Sequence, residues 1–218
     1  MVQDNGFVLE RDTVIKPYTE EIADYCSPFT CDDNDLDDFF AKDALYYDSE
    51  LLGRTYAWID LAEPINIIAL VTLANDSIKT KLITKSARNR LQRSISNAQR
   101  GINYPAVLIG RLGVSSKYRG KGMNIGSQIL DYIKGWFRSE DNKTGCRFIV
   151  VDAYNNTKTL HFYEKNGFKL LYRSAEEALR QITQKAYDLP FSTDGRKVVK
   201  IGVNFSTKQR RITDWLSE

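Results

Sequence analysis

The sequence predicts an α/β protein built on a mixed sheet with helices on both faces. β-rich runs separated by a Glu-Pro pair read as an early hairpin, and strand-like runs alternate with amphipathic helices through the second half. With 218 residues, 42% of them hydrophobic and 27% charged, the chain can bury a core, and its length predicts one domain over 1–218 rather than two.

The elements follow in order. GFVLERDTVIKPY alternates loosely and reads as a first strand stopped by Pro17. In FTCDDNDLDDFFAKDALYYDSELL, Asp and Asn residues precede Leu36, Phe39, Phe40, Ala44 and Tyr47, which predicts a capped helix with an apolar stripe. RTYAWIDLAEPINIIALVTLAND supplies the hairpin around Glu63 and Pro64. Ile83, Ala87, Leu91 and Ile95 recur near helical spacing, so a basic helix is expected as an insertion near 81–100. YPAVLIGRLGV is an apolar strand running into the glycine turn SSKYRGKGMNIGSQIL. Ile125, Ile129, Leu130, Ile133, Trp136 and Phe137 then mark one face of a helix. RFIVVDAY reads as a buried strand, and NNTKTLHFYEKNGF as a short helix from an Asn cap to Gly167. FKLLY is read as a strand, AEEALRQITQKAY as a helical insertion near 174–196, GRKVVKIGVNF as the last strand and TKQRRITDWLSE as a polar tail.

Composition narrows the chemistry. The start MVQDNGFVLERD has neither the basic opening nor the apolar run of a secretory signal, and no stretch nears the roughly 20 apolar residues that span a bilayer, so a cytoplasmic protein with no membrane partner is expected. Cys26, Cys31 and Cys146 lack metal-type pairing and there is one histidine, which predicts free thiols and no metal site. Residues 1–76 hold 17 Asp and Glu against four Lys and Arg, whereas 77–130 hold 11 Lys and Arg and no acid, so the positive field surrounds the glycine turn.

Glycines at a helix start let unpaired N–H groups converge on one anion, with the helix dipole in support. A P-loop would need Gly at 115 and Ser or Thr at 122, where Ser115 and Gly122 stand. Gly120, Gly122 and Gly126 are spaced G-x-G-x-x-x-G, which is not the dinucleotide fingerprint. RLGVSSKYRGKGMNIGSQIL instead resembles the acetyl-CoA motif of the GNAT N-acetyltransferase superfamily, [QR]-x-x-G-x-[GA] after a strand, with Arg119, Gly120, Lys121 and Gly122 on its first four positions. Asn124 occupies the last small-residue position and Gly126 arrives two residues later. Either the loop is longer than usual or Asn124 substitutes in a left-handed turn. NNTKTLHFYEKNGF is similar to the superfamily's N-x-x-A-x-x-F-Y-E-K-x-G-F signature, through Asn156, Phe162, Tyr163, Glu164, Lys165, Gly167 and Phe168. FTCDDNDLDDFFAKDA followed by RTY resembles the F-x-C-G-x-x-x-L-D-x-F-L-x-x-x-A and R-T-Y segments of GNAT toxins from toxin–antitoxin modules and their non-toxin relatives.

These resemblances imply a GNAT-like, largely antiparallel mixed sheet and a single acetyltransferase domain with acetyl-CoA as cosubstrate. They imply that the main chain of Leu112, Gly113 and Val114 holds the acetyl carbonyl and pantetheine, and that Arg119, Gly120, Lys121, Gly122, Asn124 and Gly126 hold the pyrophosphate. Asn156 would hold the cofactor or a water, or act only as a helix cap. Tyr163 matches the general acid that protonates the departing thiolate; His161 falls on another helix face, and no general base is identified. The acceptor implied is a primary amine of a small molecule or protein. The alternatives are the amino group of an aminoacyl-tRNA, with Arg88, Arg90 and Arg93 contacting tRNA and an antitoxin as partner, or a module that binds acyl-CoA without catalysis. A monomer or a homodimer fits the sequence equally.

Overall fold

The computed structural model describes residues 7–60, 65–83, 85–93, 95, 103–154, 156–169 and 171, with the backbone of 201–206 and 211–217. The chain divides into two compact units, Met1–Ser77 with Pro105–Asp152, and Ile78–Tyr104 with Ala153–Glu218.

The first unit holds most of a five-stranded sheet in the order β1 (Thr13–Pro17), β2 (Arg54–Asp60), β3 (Asn66–Lys79), β4 (Asn103–Val114) and β5 (Phe148–Val151). β1, β2 and β3 pair antiparallel, while β5 joins β4 in parallel. The sheet is therefore mixed and mostly antiparallel. Where a longer first strand is expected, residues Leu9–Asp12 form a single helical turn, α1. Its local bonds explain the difference: the Val8 N–H donates to Asp12 Oδ2 at 2.8 Å, and Thr13 Oγ1 donates to the Leu9 carbonyl at 2.6 Å. Side-chain bonds of this kind outbid the ladder for four residues. α2 (Glu20–Tyr25) follows β1, capped by Thr19.

Side-chain alternation along β2 sends neighbours to opposite faces. Ala57 and Ile59 meet a helical run, α3 (Asn34–Asp38), a π-helical turn over Phe39–Asp43, and α4 (Ala44–Ser49). The extra residue of the π turn rotates the helix frame, so consecutive Phe39 and Phe40 are both buried. Tyr56 and Trp58 face α6 (Ile125–Trp136), where Tyr56 meets Trp136 edge-on at 4.8 Å and Trp58 meets Tyr132 at 5.8 Å. The expected stripe of α6 is realised, with Ile125, Ile129, Leu130 and Ile133 all buried. Gln128 links α6 to the N-terminal turn by accepting from the Leu9 N–H at 2.8 Å.

In the second unit, α5 (Lys85–Gln92) is shorter than the helix expected near 81–100: of the four apolar positions only Ala87, buried, and Leu91, half-buried, lie in it, while the buried Ile83 and Ile95 fall outside its ends and Ile83 is extended. α7 (Thr157–Lys165) comes next. β6 (Ile201–Ser206) falls within the expected last strand, and the expected polar tail is β7 (Arg211–Ser217), paired antiparallel with β6 in a separate two-stranded sheet. The register shifts between Asn204 and Phe205, which pair with Asp214 and Ile212 and leave Thr213 as the extra residue. That bulge breaks the period-2 pattern by which β7 would have been read as a strand. The helical insertion near 174–196 lies outside the described residues, as does part of FKLLY.

Candidate acyl-CoA site

β4 parts from β5 before it ends. Their parallel register runs from Ala106 with Phe148 to Ile109 with Val151, and among the described residues no strand continues beside Gly110 to Val114 on that side. Leu112, Gly113 and Val114 thus offer main-chain groups along an open edge, as an extended amide-bearing arm requires. On the opposite side the chain is held, since the Ser115 N–H donates to the Ile68 carbonyl at 2.8 Å. Gly113 has a packing role as well. A Cβ there would meet Phe40 Cε2 at 2.9 Å and Phe29 Cζ at 3.2 Å, so only glycine lets the aromatic pair cover β4.

The turn after β4 opens with Ser115, whose carbonyl accepts from the N–H groups of Tyr118 and Arg119, both at 3.0 Å. Gly120, Gly122 and Asn124 then take φ of 79°, 76° and 50°. An added Cβ at Gly120 or Gly122 would meet nothing within 4 Å, so these glycines serve backbone handedness rather than close packing. Asn124 takes the left-handed conformation, and Gly126 lies in the first turn of α6. A left-handed glycine turn at the positive end of a twelve-residue helix, with Arg119 and Lys121 beside it, fits a diphosphate.

Three consecutive side chains anchor this turn to the acidic third of the chain. Lys117 Nζ donates to Asn66 Oδ1 at 2.9 Å, Tyr118 Oη to Asp60 Oδ2 at 2.6 Å, and Arg119 Nη2 to Asp32 Oδ2 at 3.0 Å. Burial, then the bond to the Asp60 carboxylate, pushes the Tyr118 phenol well above its ordinary pKa. Below Asp32, Asp37 accepts from Thr30 Oγ1 at 2.6 Å and from the Cys31 N–H at 2.8 Å. Sequence reasoning placed no site role on Asp32, Asp60 or Asn66. Only the opposite charges of the two segments pointed toward such contacts.

The second unit carries the other predicted residues. Tyr163 stands in α7 between Phe162 and Phe168, with ring centroids 5.1 Å and 5.5 Å away. Burial pushes its phenol up to about 12, so it stays protonated across the neutral range. Asn156 caps α7: its Oδ1 accepts from the Thr159 N–H at 2.9 Å. His161 is exposed, as are Arg90 and Arg93, while Arg88 is half-buried. Among the described residues no group of three His, Cys, Asp or Glu side chains is placed to hold a metal ion.

Residues 87–170, which run from within α5 through β4, the turn, α6 and β5 to the end of α7, match the acetyltransferase (GNAT) domain model. That stretch of the chain resembles a GNAT acetyltransferase domain. The chain's fold is also that of solved structures. A Tyr-to-Phe mutant of KacT superposes with TM-score 0.57 at 19% identity, covering 74% of this chain and 89% of that one. AtaT complexed with acetyl-methionyl-tRNAfMet gives TM-score 0.56 at 17% identity and the same coverages. AtaTR bound with acetyl-CoA gives 0.53 at 19%, with 75% and 89% covered. Likenesses at these identities establish the GNAT fold. No curated protein matches the chain by sequence.

A second model, that of the PD-(D/E)XK nuclease superfamily, matches residues 148–215 and overlaps the GNAT match through α7. Within 148–215 there is neither a Pro-Asp pair nor an Asp or Glu two residues before a Lys, so both halves of the signature in that family's name are missing.

Proposed function

We propose that this GNAT domain transfers the acetyl group of acetyl-CoA to a primary amine. The observation that carries the reading is the turn with positive φ at Gly120, Gly122 and Asn124 leading into α6, directly after the part of β4, Leu112–Val114, that runs on past its register with β5. Acetyl-CoA supplies the thioester, whose sulfur leaves as a thiolate. Leu112, Gly113 and Val114 orient the acyl arm through their main chain. Gly120, Lys121, Gly122 and Asn124 hold the diphosphate by N–H donation, and Arg119 and Lys121 add charge-assisted bonds. Gly126 sets the first turn of α6, whose N-terminal dipole faces the same anion.

Tyr163 Oη is the proton donor to the leaving sulfur. A phenol near 12 is a weak acid against a thiol of ordinary pKa about 8.5, but the environment that raises the phenol raises a buried thiol too, which narrows the gap. Asn156 has its Oδ1 in the helix cap, so any contact with the cofactor would come through its NH2 group. Tyr163→Phe is expected to lower kcat by about 10²-fold or more while acetyl-CoA binding and thermal stability stay near wild type. A variant turning over at the wild-type rate would remove the assignment.

Among amines, two observations favour the amino group of an aminoacyl-tRNA. A protein of the same fold is solved with acetyl-methionyl-tRNAfMet, and residues 77–130 are basic throughout, including Arg88, Arg90 and Arg93 on or beside α5. The deciding experiment measures thiol release from acetyl-CoA with small amines, peptides and charged tRNA side by side. Turnover confined to charged tRNA, steeply reduced by salt and by Arg88→Ala, Arg90→Ala and Arg93→Ala together, is the expected outcome. Turnover with small amines alone would return the acceptor to small molecules. Binding of acetyl-CoA without turnover on any amine would mark a non-catalytic module.

A further inference from the structure

Asp32 is held in an unfavourable backbone conformation, and its carboxylate contacts the arginine that heads the phosphate turn. Its φ is 56°, a region that costs a non-glycine residue roughly 1–2 kcal/mol, least for Asp and Asn. The F-x-C-G pattern that Phe29 and Cys31 follow has glycine at this position. Its place is nonetheless set by firm ties. The Asp32 N–H donates to Thr30 Oγ1 at 3.3 Å, Thr30 Oγ1 donates to Asp37 at 2.6 Å, and the Thr30 carbonyl accepts from the Ser116 N–H at 2.9 Å. The 30–37 loop is thereby clipped to the start of the phosphate turn, and the carboxylate reaches Arg119 Nη2 at 3.0 Å.

We infer that Asp32 is an affinity-setting residue: it competes with the CoA diphosphate for Arg119 and keeps a negative charge at the mouth of the turn, so that cofactor is held loosely and released readily. The inference rests on the acyl-CoA reading of the turn. Both side chains are about half exposed or more, at 49% and 62%, so the pair is of the weak surface kind and yields to a diphosphate without a large penalty. What persists in the complex is repulsion between a fixed carboxylate and the phosphates. Asp32 acts through Arg119 and is a positioning residue, not a catalytic one.

Calorimetric titration of CoA into wild type, Asp32→Asn, Arg119→Ala and the double variant at two ionic strengths tests this. Asn tolerates the left-handed backbone and removes only the charge. Asp32→Asn is expected to bind CoA about two- to five-fold more tightly at low salt, with the gain fading as salt rises and falling by at least half in the Arg119→Ala background, where only the repulsion is left to remove. Asp32→Gly should show the same gain and, with the strain relieved, a higher Tm. If wild type binds CoA and Asp32→Asn binds it equally or more weakly, the inference is overturned while the site reading stands. A gain that persists undiminished in Arg119→Ala also overturns it, since repulsion alone would then explain the effect. If neither wild type nor Asp32→Asn binds CoA, the site reading falls and the inference with it.

Discussion

At Gly113 the sheet and the phenylalanines that cover it leave no room for a methyl group. Gly113→Ala must displace Phe40 or Phe29, whose ring atoms would lie 2.9 to 3.3 Å from the new carbon, and overpacking of this kind costs about 1–3 kcal/mol. Thermal denaturation should show a lowered Tm, and CoA titration a weaker affinity, because the displaced strand is the one with the open edge. Cys31 shows the same dependence on surroundings. Burial, then the bond from its Sγ to Asp37 Oδ1 at 3.1 Å, pushes its thiol up to about 12, so it is a structural side chain and not a nucleophile. The sequence motif singled out Tyr163 by its neighbours in Phe-Tyr-Glu-Lys. It could not reveal that the half-buried phenol ring packs edge-on against both Phe162 and Phe168, because the packing partners of a side chain are set by tertiary contacts.

Among the elements, the glycine turn after β4 was the most legible and β7 the least. Glycine and asparagine are the residues that tolerate positive φ, so R-G-K-G-M-N announced the bend, and Asn124 at 50° is the departure from the family pattern the sequence left open. Asn124→Val places a β-branched residue in that conformation and is expected to destabilise the protein by about 1–3 kcal/mol, whereas Asn124→Gly should leave its Tm within a degree or so of wild type. In the sheet, Thr55 and Thr72 face each other across β2 and β3, buried, with their hydroxyls 2.8 Å apart. Thr72→Val strands the Thr55 hydroxyl and should cost about 1–3 kcal/mol. The double change to Val at 55 and 72 should cost less than the sum of the two single changes, a coupling that urea denaturation measures. α1 was missed because four residues held by one carboxylate and one hydroxyl have no periodicity to read.

Over the whole molecule, the division of charge along the chain was plain in the sequence, but its use was not. Lys117, Tyr118 and Arg119 each turn to a residue of the acidic third, so a contrast spread over tens of residues closes within one turn. Such pairings join positions 51, 58 and 87 residues apart, and no local pattern encodes them. The acidic N-terminal segment also carries a pH response. The bond from Arg11, then that from the Val8 N–H, lowers the Asp12 carboxyl from 3.8 to about 2. A lowered folded-state value means stability present above pH 3.8 and lost as pH falls through about 2. The helical turn at Leu9–Asp12 should therefore loosen within that window, seen as a falling protection factor of the Val8 amide, its exchange rate taken relative to the intrinsic rate at each pH, between about pH 4 and pH 2.

Gly120, Gly122 and Asn124, with their positive φ, sit in the mirror image of the conformation that L-residues prefer. Everywhere in the sheet and helices the protein depends on the hand of its amino acids, but at these positions the backbone asks for the opposite hand. A D-residue at 120 or 122 would find its own preferred geometry there and would lose less freedom on folding than glycine does. The part of the chain assigned to the phosphates thus runs against the stereochemistry that builds everything around it.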